Sequence, residues 1–239
     1  MKYLKFGDSK KYLVFLHGWG ADKNSFLWLK NYFKTYSLVF VDFAGFGESF
    51  EPKFAYTLSD YVQELYELLN CFEIDELILI GHSFGGRVAI KYAFLHQNEY
   101  LNFKLCLVDS AGIKPRRNLK YFFKIWRYKN LKRRVSKNDN LKEKLKNYGS
   151  ADYKVLSKTM KQTFVNIVNE HLEFNAKFIK SKTLIVWGRQ DKDTKMFMAR
   201  KLKRLIKDSK LEIIDDAAHY SFLDKPQEFL IILDTFVKN

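Results

Sequence analysis

The sequence predicts an α/β fold in which a mostly parallel sheet is covered by helices on both faces. Three observations carry that expectation. Short apolar runs alternate with helical stretches from residue 12 to residue 237, and such alternation implies parallel strands buried on both sides. One of these junctions, Gly81-His82-Ser83-Phe84-Gly85, packs a serine between small residues where a strand must turn sharply into a helix. Finally, 239 residues that are 47% hydrophobic suffice for one substantial core and a single domain.

Taken in order, strands are expected near 12–16, 38–42, 77–81 and 104–109, and helices near 25–34, 58–70 and 84–96. The run Leu77-Ile78-Leu79-Ile80 has the length and composition of a strand with both faces buried. A segment from Ile113 to Lys180 then interrupts the alternation. Pro115 marks its entry, and it reads as helices over 118–135, 140–147 and 152–171, with Gly149 between the last two. Strands near 183–187 and 211–214 follow, with helices near 195–206 and 226–237. The core therefore comprises 1–112 and 181–239, and 113–180 is an inserted helical cap that should lie over Ser83.

A serine raised on a strand-to-helix turn is placed to act as a nucleophile. It then needs a base to take its proton, an acid to hold that base, and donors for the oxyanion. With the nucleophile on such an elbow, the acid and then the histidine follow in chain order. Of the five histidines, His219 is in the right place, after the apolar stretch Leu211 to Ile214 and before a C-terminal helix starting near Pro226. His17 reads as a loop organiser, and His96 and His171 as ordinary polar residues. His82 adjoins the serine, and its side chain is expected to point elsewhere. For the acid, Asp191 is favoured over Asp193 because it occupies the first loop position from which a side chain can turn back over the sheet edge. Asp193 is the reserve, or a cap for the helix beginning near Lys195. Asp42 precedes Ser83 and is taken as an organiser of the loop Ala44 to Gly47. Backbone N–H groups of Phe84, at a helix start, and of Trp19, in the glycine-flanked loop His17-Gly18-Trp19-Gly20, are the expected oxyanion donors.

HGWG at 17–20, DFAGFGES at 42–49, GHSFGG at 81–86, GRQD at 188–191 and DAAHYSFLDKP at 216–226 fall in the order found in the α/β-hydrolase superfamily, which the chain resembles over nearly its whole length. It is most similar to small serine esterases with a helical cap, and it also resembles the carboxylesterase of biotin synthesis, which frees a methyl ester from a carrier-bound acyl chain. That group usually has tryptophan before the nucleophile, where this chain has His82. The resemblance implies a carboxylesterase working through Ser83, Asp191 and His219 without cofactor or metal. A carbon–carbon bond hydrolase or thioesterase would use the same three residues. A binding module whose basic cap is the working part is the alternative of another class.

The charge is uneven. Of 42 Lys and Arg and 27 Asp and Glu, which give +15, the segment 113–180 holds 19 and 5, or +14. Lys114 to Arg134 contains ten basic residues and no acid, interleaved with Tyr121, Phe122, Phe123, Trp126 and Tyr128. Leu119, Phe122, Phe123 and Trp126 share one helix face, so Phe122 and Trp126 are expected to roof a substrate pocket. The basic outer face would suit an acidic carrier protein, an anionic surface or a charged head group; no nucleic-acid reading motif accompanies it. Cys71 and Cys106 form no framework, which fits a reducing, cytoplasmic compartment. An N-terminus without an apolar run and the lack of any 18-residue apolar stretch predict neither signal peptide nor membrane span.

Overall fold

The computed structural model describes residues 1–116, 123, 126, 127, 129, 130 and 155–239. Seven strands form one sheet: β1 (Lys2–Phe6), β2 (Lys11–Leu16), β3 (Ser37–Asp42), β4 (Glu76–His82), β5 (Asn102–Val108), β6 (Lys182–Gly188) and β7 (Ser209–Ile214). Their spatial order is β1-β3-β2-β4-β5-β6-β7. All neighbours run parallel except β1, which lies antiparallel on β3 with Lys2 opposite Asp42. The six parallel strands coincide with the apolar runs, and β4 is buried at every position. No strand was expected at β1. Its residues are exposed or half-buried throughout, so it shows no buried run, and its place comes from backbone pairing at the sheet edge.

Two apolar layers flank the sheet. One face packs α1 (Leu58–Leu69), α2 (Phe84–His96), α3 (Lys158–Asn169), α4 (Glu173–Lys177) and α5 (Met196–Leu205). The other packs a 3₁₀ helix (Lys23–Asn31), the short α6 (Ser221–Asp224) and α7 (Pro226–Lys238), through Phe26, Leu29, Phe222, Phe229 and Leu233. The helix expected near 25–34 is thus 3₁₀ and starts earlier, because Asp22 caps it by accepting from the Asn24 N–H at 2.8 Å. Near the end of the inserted segment, the described part of the helix expected over 152–171 is broken at residues 156 and 157, and α3 starts at Lys158, where the Ser157 hydroxyl accepts from the Met160 N–H. Leu172, Ala176 and Ile179 after it are buried in the core layer, and the Leu172 N–H bonds the Gly112 carbonyl at 2.8 Å. The other two helices expected in this segment lie outside the described residues, apart from a few positions. Among the described residues, no helix is long and apolar enough to cross a membrane.

Candidate active site

Because β2, β4, β5 and β6 run parallel and adjacent, their C-terminal ends deliver four loops to one edge of the sheet. The β4 loop is the tightest. Ser83 takes φ +48°, a left-handed conformation that a residue with a Cβ adopts only when its surroundings impose it. The turn tolerates nothing larger than glycine on either side. A Cβ at Gly81 would stand 2.5 Å from the Gly85 carbonyl oxygen, and one at Gly85 would stand 2.2 Å from that of Leu16. The Ser83 N–H donates to the Val108 carbonyl, and the Ser83 carbonyl accepts from the Ala111 N–H, both at 3.0 Å. The side chain is left facing out of the sheet.

There Ser83 Oγ lies 2.9 Å from His219 Nε2, and His219 Nδ1 lies 2.8 Å from Asp191 Oδ2. Asp191 Oδ2 also accepts from the Thr194 hydroxyl at 2.6 Å, while Oδ1 accepts from the N–H groups of Asp193 and Thr194 at 2.8 and 2.9 Å. Burial alone would raise the Asp191 pKa, but these bonds and the His219 ring override it and hold the carboxyl below its usual range. Burial likewise opposes charge on His219, yet the bond to Asp191 and the nearby carboxylates hold its pKa above the ordinary value. With Asp191 ionised, the proton of neutral His219 belongs on Nδ1. The Nε2 lone pair is then free to accept from the Ser83 hydroxyl.

The loop after β2 approaches from the opposite side. His17 is buried and neutral: burial pushes its pKa down to about 4. Its Nε2 accepts from the Phe43 N–H at 3.1 Å, which leaves Nδ1–H to donate to the Gly18 carbonyl at 2.7 Å. The His17 carbonyl accepts from the Gly85 N–H at 3.0 Å and locks the loop to the elbow. Among the described residues, no acceptor occupies the N–H of Trp19 or of Phe84. Asp42, fully buried, receives the Lys23 N–H and ammonium at 2.7 Å each and the Glu48 N–H at 2.9 Å, so it ties the loop after β3 to the 3₁₀ helix.

A cavity of about 130 Å³ opens over Ser83, walled by Trp19, Phe84, Ala111, Phe164, Ile167 and Val168 and touched by Arg87. The described residues of the inserted segment that line this cavity belong to α3. Trp126 is 60% exposed, stacks on Phe123 and does not line the cavity; Phe122 lies outside the described residues. Arg87 fastens the cover, since one guanidinium nitrogen donates to the carbonyls of Ile167 and Glu170 at the end of α3.

Other positions also differ from expectation. Asp193 is exposed and caps no helix; α5 begins after Lys195 with no side-chain cap. The His82 ring does not point away from the site: its Nε2 lies 2.7 Å from the His219 carbonyl oxygen. Asp109 is a further carboxylate of this region, beyond the expected residues. Fully buried at the end of β5, it accepts from the Gly188 N–H at 2.8 Å and from the N–H and hydroxyl of Ser221 at 3.1 and 2.6 Å. The available signal was a carboxylate at the C-terminal end of a central strand. For metal ligation, Asp191, Asp193 and His219 are the group whose ligand atoms come within 4.8 Å among the described residues. The Asp191 and His219 atoms already bond each other, so an ion there would have to displace that bond.

A family model described as the alpha/beta hydrolase family matches residues 13–230. The chain belongs to that family. Lipase 1 of Psychrobacter immobilis is 28% identical, over 90% of this chain and 73% of its own length. The pimeloyl-[acyl-carrier protein] methyl ester esterase of Wigglesworthia glossinidia brevipalpis is 29% identical, over 97% of this chain and 95% of its own. Among solved structures, an esterase from Exiguobacterium antarcticum superposes with a TM-score of 0.76, covering 99% of this chain and 95% of that one at 23% identity; this likeness speaks to the fold.

Proposed function

We propose that the protein is a serine hydrolase that cleaves carboxylic esters through an acyl-enzyme on Ser83, with His219 as base and acid and Asp191 as its partner. The observation that carries this reading is the unbroken hydrogen-bonded path from Ser83 Oγ through the His219 ring to the Asp191 carboxylate. Ester hydrolysis is what the names of its lipase and esterase relatives have in common. Ser83 Oγ attacks the acyl carbon while its proton passes to His219 Nε2. The N–H groups of Trp19 and Phe84 receive the oxyanion, helped by the positive end of α2. As the tetrahedral species collapses, the bond to the alcohol oxygen breaks and His219 returns the proton to it. Water then attacks the acyl-Ser83 ester and gives a proton to His219, which restores it to Ser83 as the acid departs. Ester and water become acid and alcohol, with no net change at the protein.

The test is labelling with a fluorophosphonate probe alongside a panel of p-nitrophenyl esters from acetate to decanoate. Stoichiometric labelling and ester turnover, both abolished in Ser83→Ala, support the reading. Folded protein that neither labels nor turns over any ester overturns it.

We also propose that residues 113–180 form a cap whose excess of basic residues docks an acidic partner such as an acyl carrier protein. The +14 charge of the segment supports this, as does the carrier-linked ester in the name of one relative. Changing Arg116, Arg117, Lys120 and Arg133 together to Glu should leave turnover of p-nitrophenyl acetate unchanged. It should raise KM for a carrier-linked acyl ester; equal KM values would remove the docking role.

A further inference from the structure

His82 sits beside the nucleophile with no exposure, its ring 4.9 Å from that of His219, 4.8 Å from Tyr220 and 5.0 Å from Phe222. Its Nε2 is 2.7 Å from the His219 carbonyl oxygen. A carbonyl only accepts, so Nε2 carries the hydrogen, and in the neutral ring Nδ1 then bears only a lone pair. Burial keeps the ring neutral, pushing its pKa down to about 3. Nδ1 is buried with no partner among the described residues, and it faces Gly18: a Cβ there would stand 2.7 Å away.

A buried unpaired polar atom is costly, whereas an apolar ring of the same shape would avoid that cost. The His82 ring nevertheless carries such an atom, and what it gains in exchange is a donor aimed at His219. Two consecutive elbow residues thus grip one histidine at two points. Ser83 Oγ meets the imidazole Nε2, and His82 Nε2–H meets the same residue's carbonyl, which lies on the backbone that sets the direction of the ring. Since the other face of His82 packs on Gly18, a single side chain spaces the histidine loop from the loop bearing Trp19.

We infer that His82 is a positioning residue: its neutral Nε2–H fixes the His219 backbone so that the imidazole stays aligned between Ser83 and Asp191. The inference rests on the Ser83–His219–Asp191 reading. Misplacing a reacting group by about 1 Å costs on the order of 10²-fold in rate. His82→Phe keeps a ring but offers no donor, and kcat on a p-nitrophenyl ester should fall between about 10- and 100-fold with KM little changed. The acidic limb of kcat/KM, which reports His219 among Asp191, Asp109 and Asp193, should move toward lower pH as the ring loosens from Asp191. His82→Gln restores an N–H at similar reach and should recover most of the rate and the limb.

The experiment is to measure these three quantities for the parent, His82→Phe and His82→Gln, with circular dichroism as the check on folding. Parental kcat in folded His82→Phe overturns the inference. So does an unshifted limb with the glutamine variant as slow as phenylalanine, since that pattern belongs to lost packing. If His82→Phe does not fold, His82→Gln decides alone: near-parental kcat and limb support the inference, and a large loss of either overturns it. Fluorophosphonate labelling of the parent keeps the underlying reading separate. A parent that fails to label, or that turns over ester without Ser83, refutes the serine mechanism whatever the His82 variants do.

Discussion

Asp109 and Asp191 follow neighbouring parallel strands, β5 and β6; both carboxylates are buried, and both hold the loop that carries His219, yet their surroundings drive them in opposite directions. Asp191 bonds the His219 ring, and that bond and the Thr194 donors outweigh burial, so its pKa falls. Asp109 bonds the chain two residues further on, at the N–H and hydroxyl of Ser221. Its bonds come from neutral donors, so burial prevails, aided by repulsion from Asp191, and its pKa is pushed up to about 7. Only Asp191 bonds directly to a group that can become a cation. A carboxylate at a strand end is a candidate acid by position, but the group it touches decides whether it stabilises an imidazolium or braces a backbone.

The largest effect should separate the two by rate. Asp191→Asn leaves the geometry intact while favouring the wrong tautomer of His219, and kcat should fall by on the order of 10⁴-fold with the fold retained. Asp109→Asn should instead lower stability. In either orientation its amide nitrogen faces an N–H of Gly188 or Ser221, leaving a buried donor unpaired at a cost of about 1–3 kcal/mol. At about 2–4 °C per kcal/mol for a domain of this size, thermal melts should register several degrees, with kcat within about tenfold of parent. If Asp109→Asn abolishes turnover and Asp191→Asn only lowers Tm, the two assignments are exchanged.

Their pH responses should differ in sign. A carboxyl whose folded pKa is raised binds protons more tightly when folded, so its contribution declines as pH rises from about 4 through 7. Asp191, with a lowered folded pKa, contributes stability above the unfolded value that is lost as pH falls through the folded one. Denaturant melts between pH 4 and 8 should show the decline in the parent and a flatter profile in Asp109→Asn. Turnover in the parent should rise in one step above pH 6.5, where His219 loses its proton and can serve as base. An acidic limb below 6.5 would contradict the bond to Asp191.

What could be read from the sequence follows from how local each cause is. The β4 run and its elbow announce themselves because a fully buried strand must be apolar and a turn this tight must be glycine-lined, and both demands fall within ten residues. The chain order of serine, acid and histidine then points to His219, and the first loop position after β6 favours Asp191 over Asp193. By contrast, β1 is written in half-exposed residues and exists through its pairing with β3. Asp109 finds Ser221 112 positions later, and His82 finds His219 137 positions later, so no neighbouring residue signals either contact. The aromatic stretch near Trp126 is the expected cavity wall, yet Phe164, Ile167 and Val168 line the cavity. Their helix, α3, is clamped at its end by Arg87, a residue of the elbow helix.

Asp193 offers the smallest effect and the finest control on the comparison. It stands two residues from Asp191 and is exposed. Its direct bond to Asp191 comes from the backbone N–H at 2.8 Å, which Asp193→Ala retains. What the substitution removes is a nearby negative charge that favours protonated His219. Turnover should therefore change by less than about twofold, as for most surface substitutions. The acidic limb should move slightly toward lower pH, and the shift should shrink as salt screens a charge that faces water. A loss approaching that of Asp191→Asn would make Asp193 the working acid. A small shift that persists undiminished in high salt would mean that the side chain acts through structure, since an exposed charge interaction does not survive screening.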